Sequence, residues 1–113
     1  MERVRGFTLI ELMSVVAIMG LLATIVLSAY LAYIAKAANR ACMMEVRHYV
    51  SEAMVALNTP DATIPQPPDI PGSACAEITP ATDLNTPVVG QLSEKYGGGS
   101  VICDIPTTSC SFE

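Results

Sequence analysis

The chain has 113 residues, 51% of them hydrophobic, and a formal net charge of −5. That length holds one small domain and excludes a large enzyme core, and the acidic balance excludes a general nucleic-acid surface, which would be basic. Four cysteines in a chain that also carries a membrane-length apolar run place whatever follows that run in an oxidising compartment.

Residues 1–6 form a short charged head containing Arg3 and Arg5. By the positive-inside tendency these arginines stay in the cytoplasm, so the chain is expected to run N-in, C-out. Gly6-Phe7-Thr8-Leu9-Ile10-Glu11-Leu12-Met13 then opens a long apolar segment. From Phe7 to Ala35, 23 of 29 residues are apolar and Glu11 is the single ionisable side chain. The 24 uncharged residues from Leu12 to Ala35 make about 36 Å of helix, against a hydrocarbon core of about 30 Å. The run is about twice the length of a signal-peptide core, and its small residue precedes it, so ordinary signal-peptide cleavage fits poorly. A carboxylate near one end of such a segment is costly and marks a functional candidate.

Neither Gly nor Pro occurs from Leu21 to Thr59, so one helix is expected from about Phe7 to Leu57. Past Ala35 the pattern turns amphipathic. Ala35, Ala38, Cys42, Val46, Tyr49, Ala53 and Leu57 recur at helical steps on one face, while Lys36, Arg40, Arg47 and Ser51 lie on another. Thr59-Pro60 is the natural stop. Residues 60–87 carry seven of the eight prolines and read as an extended surface loop. Strands are expected over Pro87–Leu92, Ser100–Ile105 and Cys110–Phe112, with Gly97-Gly98-Gly99 and Pro106–Ser109 as turns. The fold class is α+β, a long N-terminal helix packed on a small antiparallel sheet. The expected divisions are a head over 1–6, a hydrophobic helix over 7–35, its amphipathic half over 36–58, and a loop-rich β domain over 59–113.

Several constellations read more simply as structure than as sites. Glu45, His48 and Glu52 share a helix flank that could hold a metal, but a solvated face with modest charge pairing explains them. Met43, Met44 and Met54 read as fillers of packing gaps, and Tyr30, Tyr33, Tyr49 and Phe7 as helix packing rather than a charge-transfer stripe. No cysteine or histidine has zinc-ligand spacing, and no catalytic triad, phosphate-cradling loop or paired-carboxylate site is recognisable. The reading is of a protein that is not an enzyme and needs no cofactor.

From Gly6 to Tyr33 the chain resembles the N-terminus of type IV pilins and the related pseudopilins. The resemblance is carried by the short basic leader, the Gly6-Phe7 junction, Phe7-Thr8-Leu9-Ile10-Glu11, the uninterrupted apolar helix, and Ala29-Tyr30 and Tyr33. It implies cleavage after Gly6 by a prepilin peptidase and N-methylation of the new terminus at Phe7. It also implies pairing of the Glu11 carboxylate with the Phe7 ammonium of a neighbouring subunit. A single-pass inner-membrane protein would then become part of an extracellular homo-oligomeric filament, built by inner-membrane pilus assembly machinery and serving adhesion, twitching motility or DNA uptake. Many type IVa pilins carry proline where this chain has Ser28, so a continuous helix is expected from Gly20 to Ser28.

Pilins often close a C-terminal loop with a disulfide, and the spacing of Cys103 and Cys110 suits one. Cys42 on the inward stripe and Cys75 after the proline-rich loop could then clip that loop to the helix. Four cysteines permit three connectivities, of which this one is expected. A type II secretion pseudopilin or a minor pilin are the alternatives within the class, although major pseudopilins usually have a calcium loop and no disulfides. A DNA-binding competence pilin fits less well. From Thr59 onward Lys95 is the single basic residue against seven acidic ones, so no specific nucleic-acid binding is expected.

Overall fold

A computed structural model describes residues 6–113; the leader residues Met1–Arg5, including Arg3 and Arg5, lie outside the described residues. Helix α1 runs over Leu9–Asn58, followed by strands β1 (Cys75–Ile78), β2 (Val88–Leu92), β3 (Ser100–Cys103) and β4 (Cys110–Phe112). A single 3-10 turn, Glu94–Tyr96, lies between β2 and β3. The chain divides into two compact units, the first ending at Tyr33 and the second running over Ile34–Glu113. The fold is α+β, as the sequence indicates.

Among the described residues of the first unit, all from Leu9 to Tyr33 are helical. α1 passes Gly20 and Ser28 without interruption, as expected of a chain that keeps a backbone donor where proline would remove one. The Ser28 hydroxyl donates to the Ile25 carbonyl at 3.0 Å.

In the second unit the four strands form an antiparallel meander in the order β1-β2-β3-β4. Alternation along β2 sends Val88, Gly90 and Leu92 inward and Gln91 outward, the period-two pattern of a sheet with one covered face. The inward face packs on Ala38, Cys42, Val46, Tyr49, Val50 and Ala53 of α1, and Val101, Cys103 and Ile105 are fully buried beneath them. Burying each such aliphatic side chain contributes about 1.5–3 kcal/mol.

Helix α1 stops where Pro60 cannot continue it. The Asn58 amide donates to the Met54 carbonyl and the Thr59 hydroxyl to that of Val55, both at 2.8 Å, so the Val55 carbonyl, one of those left over at the helix end, is satisfied. The β2–β3 connection closes on Gly97, Gly98 and Gly99, all at positive φ (103°, 67° and 118°). A non-glycine residue would be strained at each.

The stretch from 60 to 87 is not loop throughout, as the sequence suggested. Cys75–Ile78 forms β1, paired with β2 across a bulge between Cys75 and Glu77. Three links tie this segment to α1. Cys42 and Cys75 form a disulfide. The Glu45 carboxylate accepts the N–H groups of Ala74 and Cys75, each at 3.4 Å. The buried Tyr49 hydroxyl donates to the Pro65 carbonyl at 3.0 Å and accepts the Ala81 N–H at 2.9 Å. One tyrosine therefore holds both limbs of the proline-rich segment. The second disulfide, Cys103–Cys110, closes the β3–β4 hairpin.

Candidate functional site

The start of α1 is built by Thr8 and Glu11. Thr8 is the cap residue ahead of Leu9, and Glu11 is the third residue of the helix. One carboxylate oxygen of Glu11, Oε2, accepts both the Thr8 N–H at 2.9 Å and the Thr8 hydroxyl at 2.8 Å. The Thr8 hydroxyl oxygen in turn accepts the Glu11 N–H at 3.3 Å. This is a capping box, in which two donors at the helix start are satisfied reciprocally. Its spacing is legible in Thr8-Leu9-Ile10-Glu11, and reasoning that fixed on the charge of Glu11 passed over Thr8.

Beyond the cap the helix presents apolar side chains on every side. Its most apolar stretch has no residue buried within the protein, and α1 is long and apolar enough to cross a membrane. Leu12 is 62% exposed and Ile25 70%. The few polar groups in the stretch are turned back on the helix. Ser14 donates to the Glu11 carbonyl at 2.9 Å and Thr24 to that of Leu21 at 2.8 Å. These serine and threonine hydroxyls have no need of water, so the surface is suited to lipid or to other apolar helices. Gly6 has open space where a side chain would stand, and Phe7 is exposed. The junction between them is unobstructed on these faces. Here the Glu11 partners are the two Thr8 donors, within the same chain.

The other candidate side chains separate. Glu45 turns to β1, while the exposed His48 and Glu52 side chains approach to 3.9 Å, so the three do not converge. Among the described residues no group of three His, Cys, Asp or Glu side chains is placed to hold a metal ion. Met43 and Met54 pack against the core, but Met44 is 74% exposed and fills no gap. Tyr30 and Tyr33 are exposed, and only Tyr49 of the tyrosines on α1 is buried.

Away from the helix, Asp83 organises an exposed turn. It accepts the Thr86 hydroxyl at 2.9 Å and the N–H groups of Asn85 and Thr86 at 2.8 Å. The Thr86 hydroxyl, followed by those two N–H groups, holds its carboxyl below the usual carboxylate range.

Residues 1–27 match the family model described as the prokaryotic N-terminal methylation motif, the signature of the type IV pilin class. The match takes in the Gly6-Phe7 junction, Thr8, Glu11 and the first part of the exposed helix. The motif supports a pilin-like or pseudopilin substrate of prepilin peptidase and suggests a structural protein, and with the apolar helix it fits membrane anchoring. No solved structure matches the chain.

Proposed function

We propose that the chain is the structural subunit of a type IV pilus. In this reading residues 1–6 are a leader, removed by prepilin peptidase between Gly6 and Phe7, and Phe7 becomes the N-methylated terminus. Before assembly the chain spans the inner membrane once, with its N-terminus in the cytoplasm and Ile34–Glu113 outside. The assembly machinery then moves identical subunits into an extracellular filament used for adhesion, motility or DNA uptake. The observation that carries the reading is the methylation motif at residues 1–27, which runs into the apolar stretch of α1, where no described residue is buried. The disulfides Cys42–Cys75 and Cys103–Cys110 favour the pilus over a type II secretion pseudopilin, whose major forms usually lack them.

Cleavage makes Phe7 an ammonium, one helical turn before the Glu11 carboxylate. Among the described residues only Oε2 of Glu11 is engaged, which leaves Oε1 for that ammonium, in the same subunit or a neighbour. The test is expression with a complete pilus assembly machinery, reading the N-terminal residue by mass spectrometry and filaments by electron microscopy. The expected result is a methylated Phe7 terminus and filaments. Glu11→Ala should leave cleavage and insertion intact and abolish filaments. Glu11→Gln keeps the acceptor for Thr8 without the charge, and should abolish them too. An uncut leader overturns the functional reading, and normal filaments from Glu11→Gln overturn the charge pair.

A further inference from the structure

Two charged rows in the second unit have no ion-pair partner among the described residues. Lys36, Arg40 and Arg47 are exposed on α1. At 100° per residue they fall within about 40° of one another, in a stripe about 16 Å long. Among the described residues none of the three is paired with a carboxylate. The stripe ends at a groove of about 380 Å³ lined by Met44, Arg47, His48, Ser51 and Thr108.

The complementary charge lies on the outward face of the sheet. Glu77 pairs with Gln91, and Gln91 with Ser100. Ser100 exchanges both backbone hydrogen bonds with Glu113, at 3.0 and 3.4 Å. Residues directly opposite in an antiparallel ladder point to the same face, and the buried neighbours Gly90, Leu92 and Val101 point the other way. Glu77 and Glu113 are therefore exposed carboxylates at the two ends of one row, about 14 Å apart across three strand spacings.

We infer that the Lys36–Arg40–Arg47 stripe of one copy docks on the Glu77–Glu113 row of a second copy of this chain. The two rows match in length and are opposite in sign. One row is on the helix and the other on the outward face of the sheet. A contact between different surfaces is heterologous, so it propagates from copy to copy and does not close a two-fold dimer. Anionic lipid headgroups would answer Lys36, but Arg47 lies about 16 Å farther along the helix, beyond the screening length of about 8 Å at physiological salt. Lipid would also leave the carboxylate row without a partner. The contact rests on the proposed filament, and supplies a determinant of stagger outside the apolar helix.

The test uses the full chain in neutral detergent micelles, mixing isotopically heavy and light copies. A carbodiimide condenses the Lys36 amine with a carboxylate within direct contact. The expected product is a heavy–light dimer linked from Lys36 to Glu77 or Glu113, suppressed by high salt. With two exposed pairs at stake, Arg40→Glu/Arg47→Glu should reduce its yield about tenfold, and adding Glu77→Lys/Glu113→Lys should restore association in cross-linking by formaldehyde. Intact disulfides and an unchanged near-ultraviolet dichroism check that each variant is folded. Absence of the Lys36 links overturns the contact, whether or not filaments form. Loss of binding to phosphatidylglycerol vesicles in Arg40→Glu/Arg47→Glu, with no Lys36 link in the unsubstituted chain, overturns it in favour of lipid. Links without filaments in cells retain the contact and overturn the pilus.

Discussion

Gly90→Ala tests how closely helix α1 sits on the sheet. Gly90 lies on the inward face at the middle of β2, and a Cβ built there overlaps Cγ2 of Val46 while standing 3.4 and 3.5 Å from the sulfurs of Cys75 and Cys42. The residue is not at positive φ, so backbone strain is not at issue. In its favour, alanine reduces the entropy of the unfolded chain by an amount worth about 0.4–1 kcal/mol. Against it, Val46 is fully buried on a helix, where a β-branched side chain has one strongly preferred rotamer, and the neighbouring disulfide cannot slide aside. Overpacking of this kind costs about 1–3 kcal/mol, so after the entropic gain the net loss should be about 1 kcal/mol.

The assay is thermal unfolding of the full chain in detergent, followed by near-ultraviolet dichroism of the tyrosines and disulfides. For a folded unit of this size about 1 kcal/mol corresponds to a fall of roughly 4–8 °C in Tm. Val46→Ala alone removes buried methyl groups and should itself destabilise. In the double variant the new methyl occupies the vacated space, so the combined loss should fall short of the sum by about 1 kcal/mol or more. A Gly90→Ala protein as stable as the original, or a strictly additive double variant, would refute the close approach.

Tyr49→Phe leaves the buried Ala81 N–H without its acceptor and releases the Pro65 carbonyl. It should cost about 1–3 kcal/mol, and protease should then cut within 60–81 faster than in the parent protein. Equal cutting rates would remove Tyr49 from its role as the tie. Asp83 has its pKa lowered by folding, so its contribution is present in full above the unfolded value of about 3.9 and is lost as pH falls through the lower folded value. Asp83→Asn should therefore be less stable than the parent at neutral pH, with a gap in denaturant midpoint that narrows as pH is lowered below about 4. A gap that stays constant to pH 2 would show that the charge of Asp83 does not matter to the turn.

What the sequence made legible was what repeats. The steps of three and four along α1 identified the buried stripe at Ala38, Cys42, Val46, Tyr49 and Ala53, because helical geometry fixes which residues share a face. Ala35 and Leu57, at the two ends of that stripe, are only half-buried, and Val50, outside it, is fully buried. The strands expected over Pro87–Leu92, Ser100–Ile105 and Cys110–Phe112 from β-branched alternation between turn residues form over Val88–Leu92, Ser100–Cys103 and Cys110–Phe112, so β3 ends two residues short of Ile105. Strand β1 was not. Four residues flanked by prolines carry little periodicity, and β1 is held by partners far away in sequence: Cys42, Glu45 and β2. Gly90 was equally opaque, since the reason for a glycine there is a side chain on another element. In the candidate site the exposed apolar helix was read directly, whereas Thr8 required seeing Glu11 as a hydrogen-bond acceptor as well as a charge.

That double character of Glu11 bears on how a carboxylate is tolerated in so apolar a helix. A bare helix start leaves several N–H groups without acceptors, a burden that grows when water is excluded. Glu11 answers the Thr8 N–H with Oε2, while the Thr8 hydroxyl oxygen answers the Glu11 N–H. Both links are local, so they can travel with the helix from one apolar environment to another. Under the proposed function the charge itself acquires its partner only after cleavage, when Phe7 becomes an ammonium. An uncleaved subunit would have its helix start formed and its carboxylate unneutralised, and would be penalised on entering an apolar filament core. Processing at Gly6 would then act as a licence for assembly through electrostatics, without any change in the fold of Ile34–Glu113.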